Sequence, residues 1–286
     1  MGAGIDFYAE GFDRTYAYAT SGGNDEARLV DSAGNDTFLA DGNAKGARLM
    51  GPGIDFYAEG FDRTYTYASH GGDDEARMSD STGKDTFLTD GNANGARLVG
   101  SGFDFYVESF DRTYAYSSYG GDDEATLNGS VGNDTFLADG AGNGGRMQGS
   151  GSDFYAEGFK RTYAYASSGD DEARLYDSAG DDTFTCAVPG TRFQGATFDF
   201  YAESFDRVFA AASRGGFDRS YLYDTAGNDT LVERSNWYTL TASTATARGE
   251  NFDYVKAISN QGGTDTLDIK AVDYLFEQEG PWVPVP

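Results

Sequence analysis

The chain has 286 residues with 47 acidic against 21 basic side chains, and its formal net charge of -26 excludes nucleic acid as a partner, because a phosphate backbone needs a basic stripe. No apolar run approaches the ~18 residues needed to cross a bilayer, so no membrane span is expected. The lone cysteine, Cys186, rules out an intrachain disulfide, while 20 Tyr, 21 Phe and 40 Gly point to a core of rings interleaved with small side chains, which suits strands.

The string Asp-Phe-Tyr-Ala-Glu opens at Asp6 and recurs at Asp55, Asp153 and Asp199, with Asp-Phe-Tyr-Val-Glu at Asp104. The spacings are 49, 49, 49 and 46 residues. Tandem β units are expected over 1–250, near 6–54, 55–103, 104–152, 153–198 and 199–250, with a diverged last repeat and cap over 251–286. In chain order, one unit reads as five strands. Arg14 to Ala19 alternates aromatic with small and stops at the turn Ser21-Gly22-Gly23-Asn24. Glu26 to Val30 follows, then the turn Ser32-Ala33-Gly34-Asn35, then Asp36 to Ala40, Ala47 to Met50 and Phe56 to Ala58.

A single 49-residue coil would enclose a lumen too wide for side chains to fill. The expectation is therefore an all-β repeat solenoid with about two coils per unit, a rod of about 55 Å at ~4.8 Å per coil. A six-bladed β-propeller is the alternative, since a blade has a similar length and strand number. The altered end, with Trp237, Leu267-Asp268-Ile269, Tyr274 and Trp282, reads as a cap and favours the linear stack.

The motif Gly-Asn-Asp-Thr-Phe closes the turns ending at Asp36 and Asp134, and variants end at Asp85, Asp182 and Asp229. A sister motif, Gly-Gly-Asn/Asp-Asp-Glu-Ala, carries Asp25, Asp74 and Asp123, with relatives at Asp171 and Asp265. These residues resemble the second half of the calcium-binding nonapeptide of RTX (haemolysin-type) β-rolls, at a spacing of 11 or 12 residues instead of nine, with Lys84 replacing Asn in one copy. The longer pattern is also similar to tandem repeats of large exported bacterial surface proteins. The resemblance implies Ca²⁺ as the cofactor, with Asp25, Asn35, Asp36, Asp74, Asp85, Asp123, Asp134, Asp171, Asp182, Asp229 and Asp265 as candidate ligands. Asp, Asn and glycine-turn carbonyls are the oxygen donors that a hard cation takes. It also implies a secreted or cell-surface setting and a place within a larger protein, the chain starting inside a repeat. The competing reading of each Asp is a turn former that caps backbone.

Arg14, Arg63, Arg112, Arg161 and Arg207 follow Glu10, Glu59, Glu108, Glu157 and Glu203 by four residues, which predicts an Arg–Glu ladder. The Phe7, Phe56, Phe105, Phe154 and Phe200 column reads as core, and its Tyr neighbours as core or as an outward ladder able to grip sugar rings. His70 sits in a turn and Cys186 at a small-residue position, so no catalytic set assembles and no enzyme is expected. The functional expectation is a calcium-stabilised spacer, adhesion or assembly module. The alternatives are a carbohydrate-binding or polysaccharide-cleaving module, and self-assembly through the N-terminal edge.

Overall fold

The structure, a computed structural model, describes residues 12–286. Phe7, Tyr8 and Glu10 therefore lie outside the described residues. The first unit supplies β1 (Thr15–Tyr18), β2 (Glu26–Val30), β3 (Thr37–Asp41), β4 (Gly46–Gly51) and β5 (Ile54–Glu59). The second supplies β6 (Arg63–Tyr67), β7 (Glu75–Ser79), β8 (Thr86–Asp90), β9 (Gly95–Gly100) and β10 (Phe103–Glu108). The five strands per unit fall where the alternation and turn residues place them.

The strands stack into two sheets, of 16 and 13 strands, that run from end to end as a β-solenoid. Strands β3, β4 and β5 form an antiparallel meander within one sheet, as do β8, β9 and β10 in the other, and the remaining neighbours in the first two units pair parallel. Each unit thus makes three stops: β1 in the larger sheet, β2 in the smaller, and the meander in the larger. Three is odd, so the next unit begins in the opposite sheet, and β8–β9–β10 fall in the smaller one. Successive units repeat the same path with the two sheets exchanged.

This path lengthens the turn. Parallel partners such as Glu26 and Arg63, or Glu75 and Arg112, are 37 residues apart, against the roughly 24 expected from size. The lumen stays narrow because the meander spends three strands climbing one sheet instead of going round. Sixteen strands at ~4.8 Å make a rod of about 70 Å, longer than the 55 Å expected. The continuous sheets leave no blades, so the propeller is not the fold.

Between the sheets runs one core, continuous from Leu29 to Trp282. Alternation sends Phe38, Ala40, Ala47, Leu49 and Ala58 inward, and burying each large apolar side chain contributes about 1.5–3 kcal/mol. The Phe of the turn that precedes the unit two further on meets the meander's Phe: Phe38 with Phe110, Phe87 with Phe159, Phe136 with Phe205 and Phe184 with Phe252, at 6.0 to 6.3 Å. Phe105, Phe154 and Phe200 are buried while Tyr106, Tyr155 and Tyr201 face outward, as a pleated strand requires. The turn between β4 and β5 places Pro52 ahead of Gly53, whose φ of +79° is the left-handed conformation that a type II turn demands. At the far end, Tyr254–Ile258 pairs with Leu275–Glu279, and Thr266–Val272 pairs with the two-residue strand Val283–Pro284. Charged side chains and prolines blunt these last edges.

Candidate functional site

The Asp-bearing turns line up along the edges of the two sheets, where the chain crosses from one to the other. Within a turn, the loop closes on its own aspartate. Ser32 donates its N–H to Asp36 Oδ2 at 3.1 Å and its hydroxyl to the same carboxylate. The arrangement repeats at Ser81–Asp85, Ser130–Asp134, Ser178–Asp182 and Thr225–Asp229. The closing glycine of the fourth strand makes room for it: a Cβ on Gly51 would stand 1.5 Å from Asp36 Oδ1, and one on Gly100 would stand 1.7 Å from Asp85 Oδ1.

Between levels, each aspartate accepts the backbone N–H of the aspartate before it in the stack. Asp36 N–H donates to Asp74 Oδ1 and Asp74 N–H to Asp111 Oδ2, both at 2.7 Å. Asp134, Asp171 and Asp206 form the same chain of three, as do Asp182, Asp218 and Asp253. Asp85 donates to Asp123, Asp229 to Asp265, and Asp25 to Asp62. The Asp85–Asp123 chain stops where Lys160 stands at the position of Asp62 and Asp111. Asn35 Oδ1 adds a second rung by accepting the Asp73 N–H at 3.0 Å, as Asn133 does for Asp170. Lys84 has no such acceptor and instead reaches Glu124 Oε2 at 3.0 Å.

A further column stands beside these, formed by Asp31, Asp80, Asp177 and Asp224. Each accepts N–H groups from the turn one level on: His70, Ser118 and Tyr119, Arg214, and Asn260 with Gln261. The sequence offered a signal for it, an Asp directly before the Ser or Thr of the loop. Asp218 was hidden for another reason: its turn reads Gly216-Phe217-Asp218 and lacks the Asp-Glu-Ala signature.

Among the described residues, one set of carboxylates converges. Asp80, Asp85 and Asp123, all buried, bring oxygens within 4.8 Å of one another. Burial pushes Asp85 above its usual value, and the Asp123 and Asp80 charges add to this against the Ser81 hydrogen bonds. Asp74, Asp171 and Asp177 are raised as well, with burial the largest cause. Burial, then the charges of Asp182, Asp177 and Asp253, push Asp218 up to about 6 against the pull of the Asp182 N–H. Asp177 Oδ1 is buried with no hydrogen-bond partner. Oxygen-only donors packed this way suit a hard cation or a proton, and not a thiolate-seeking metal.

The expected Arg–Glu ladder forms with different partners. Arg112 pairs with Asp73 and Glu75, Arg161 with Glu124, and Arg207 with Asp170 and Glu172, because the parallel register sets these glutamates beside the arginines. The Glu59, Glu108, Glu157 and Glu203 column instead accepts the hydroxyls of Tyr57, Tyr106, Tyr155 and Tyr201. His70 Nδ1 lies 2.7 Å from Asp31 Oδ1 in its turn, and Cys186 is buried at a small-residue position, where burial pushes its thiol up to about 12. No family model, curated protein or solved structure matches the chain.

Proposed function

We propose that the chain is a non-enzymatic, extracellular repeat scaffold, a stiff acidic spacer for adhesion or assembly, whose aspartate columns are held by Ca²⁺. The observation that carries this reading is the packing of Asp80, Asp85 and Asp123 into one buried group. Like charges at that distance repel unless a proton or a cation neutralises them. These three would hold the ion, and Asp31/Asp36/Asp74, Asp177/Asp182/Asp218 and Asp224/Asp229/Asp265 occupy the matching places in other units. Gly129 leaves the third unit one carboxylate short. The orphaned Asp177 Oδ1 supports the fit. When bound, the ion supplies positive charge where the columns are most crowded, which stabilises the stack by linkage.

Thermal unfolding after chelation, repeated with added Ca²⁺, tests this. The midpoint is expected to rise with calcium, by about 2.7 kcal/mol of added stability at a hundredfold excess over Kd. The rise should be larger at pH 8 than at pH 5, where protons compete for the same oxygens. A midpoint that ignores calcium at pH 8 would sink the cation and leave protons or backbone donors as the only neutralisers. A length far from about 70 Å by small-angle scattering would sink the spacer.

A further inference from the structure

On the outer side of each meander the chain builds a shallow trough. In the first unit its floor is Gly46, kept bare because Tyr57 lies across it. A Cβ on Gly46 would stand 2.9 Å from the Tyr57 hydroxyl, which donates to Glu59 at 2.6 Å. Beside it Arg48 forks onto Asp55 with Nε and Nη2 at 2.7 and 2.6 Å. Leu39, Asp41, Arg77 (itself paired with Glu75) and Tyr116 also line it, Tyr116 coming from the strand two levels beyond the meander. From β5 to that strand the trough crosses four strand spacings, about 19 Å along the rod axis.

The second unit repeats it on the opposite sheet with Leu88, Asp90, Gly95, Arg97, Tyr106 and Tyr165. The third repeats it on the first sheet with Leu137, Asp139, Gly144, Arg146 and Tyr155, but there Ala211 stands where Tyr116 and Tyr165 stand. That trough lacks the far-strand ring: its tyrosines are Tyr155 and Tyr114, and Arg214 pairs with its Asp139. Tyr155 neighbours Tyr114 at 6.0 Å, so successive troughs on one sheet nearly join.

We infer that these troughs bind a neutral, extended polysaccharide chain laid along the rod axis. Three features select that ligand. Tyrosine rings pinned by glutamate are rigid apolar platforms for a sugar face, with little side-chain entropy left to lose. The Arg–Asp forks carry no net charge yet leave donors and acceptors side by side, which is what vicinal hydroxyls require. The net charge of -26 repels polyanions, so an acidic polymer is disfavoured. The exposed apolar residues here, Leu39, Leu88 and Leu137, are single and separated, unlike the contiguous core of a protein interface. The inference is independent of the calcium reading, because no trough residue belongs to the buried aspartate columns.

Affinity electrophoresis of the whole chain tests it, in gels containing soluble β-glucan, galactomannan or xylan, with polygalacturonate and heparin alongside. Retardation by at least one neutral polymer, maintained in 0.5 M NaCl (a concentration of about three times physiological strength), is the expected result. The variant Tyr116→Ala/Tyr165→Ala removes two half-buried platforms that make no side-chain hydrogen bond and should lower the association constant about tenfold while the β-sheet circular dichroism at the assay temperature is retained. Ala211→Tyr should strengthen binding by completing the third trough. No retardation by any neutral polymer, retardation by the polyanions alone, or binding indifferent to Tyr116 and Tyr165 would overturn the inference. Retardation that depends on calcium but not on these tyrosines would overturn it while leaving the scaffold reading standing.

Discussion

The third unit's meander and the last meander share a backbone path and differ in almost every contact that fills it. In the regular unit Gly144 lies under Tyr155, and Gly145 faces Ala156 in the core. In the last meander Trp237 takes the place of Gly144, and Arg248, 4.5 Å above the Trp237 ring, takes the place of Tyr155. Inside, Tyr238 replaces the small residue and spreads over Gly249, whose Cβ would stand 2.0 Å from Tyr238 Cζ. Ser220, at a position that is Ala76, Ala125 or Ala173 elsewhere, meets the Tyr238 hydroxyl at 2.6 Å. The exchange is concerted: a large side chain entered only where its partner lost a methyl and a neighbour gained a hydroxyl. The path is fixed by hydrogen bonding and turns, and volume is conserved across pairs and not at single positions.

The strongest test of that comparison is Gly249→Ala, which should cost about 3 kcal/mol or more by overpacking against Tyr238. Adding Tyr238→Ala and Ser220→Ala rebuilds the regular unit and should recover most of the loss. Denaturant melts of the single and triple variants decide it, and simple additivity of the three changes would contradict concerted exchange. Next comes Asp134→Ala in the regular unit. It strips the acceptor from the Ser130 N–H and hydroxyl and should cost about 2–3 kcal/mol, measured the same way.

The last meander also holds Glu233 in the core where regular units have Ala40 or Ala138. Tyr274 donates to its Oε2, while Oε1 is buried without a partner. Burial pushes this carboxyl up to about 7, against the pull of the Tyr274 hydrogen bond. A carboxyl raised in the folded state binds its proton more tightly there than when unfolded. It therefore costs nothing below about pH 4.5, and its penalty grows as pH rises to about 7. Glu233→Gln should stabilise the chain by about 2 kcal/mol at pH 8 and leave it nearly unchanged at pH 4. Equal effects at both pH values would show that charge is not the cause. The smallest expected effect is Lys84→Asn. It supplies the missing rung to the next turn but gives up an exposed ion pair, for a net gain of about 0.5 kcal/mol by thermal melting.

Much of this was legible in the sequence. Period, strand number and the alternation that buries Phe105 and exposes Tyr106 follow from side-chain size and turn residues, which act locally. The meander was not legible, because whether Gly46–Gly51 returns within a sheet or crosses over depends on pairing between units. The same ignorance of register hid the partners of Arg112 and Arg161. At the candidate site, the capping role of Asp36 was readable from its own turn. Its acceptor, Asp74, lies 38 residues away and became visible only with the stack in place. Asp80 was missed because its Asp-Ser signal reads as one more turn former, and its acceptor role for Ser118 and Tyr119 appears only once its level in the stack is known.

The exchange of sheets at every unit gives the array a parity. Removing residues 55–103 would shorten the rod by about 12 Å and carry everything downstream to the opposite side, while removing two units would shorten it and keep every side where it was. A lineage that gains or loses such repeats singly would alternate which troughs look toward a fixed surface. Where facing matters, the number of units should change in twos.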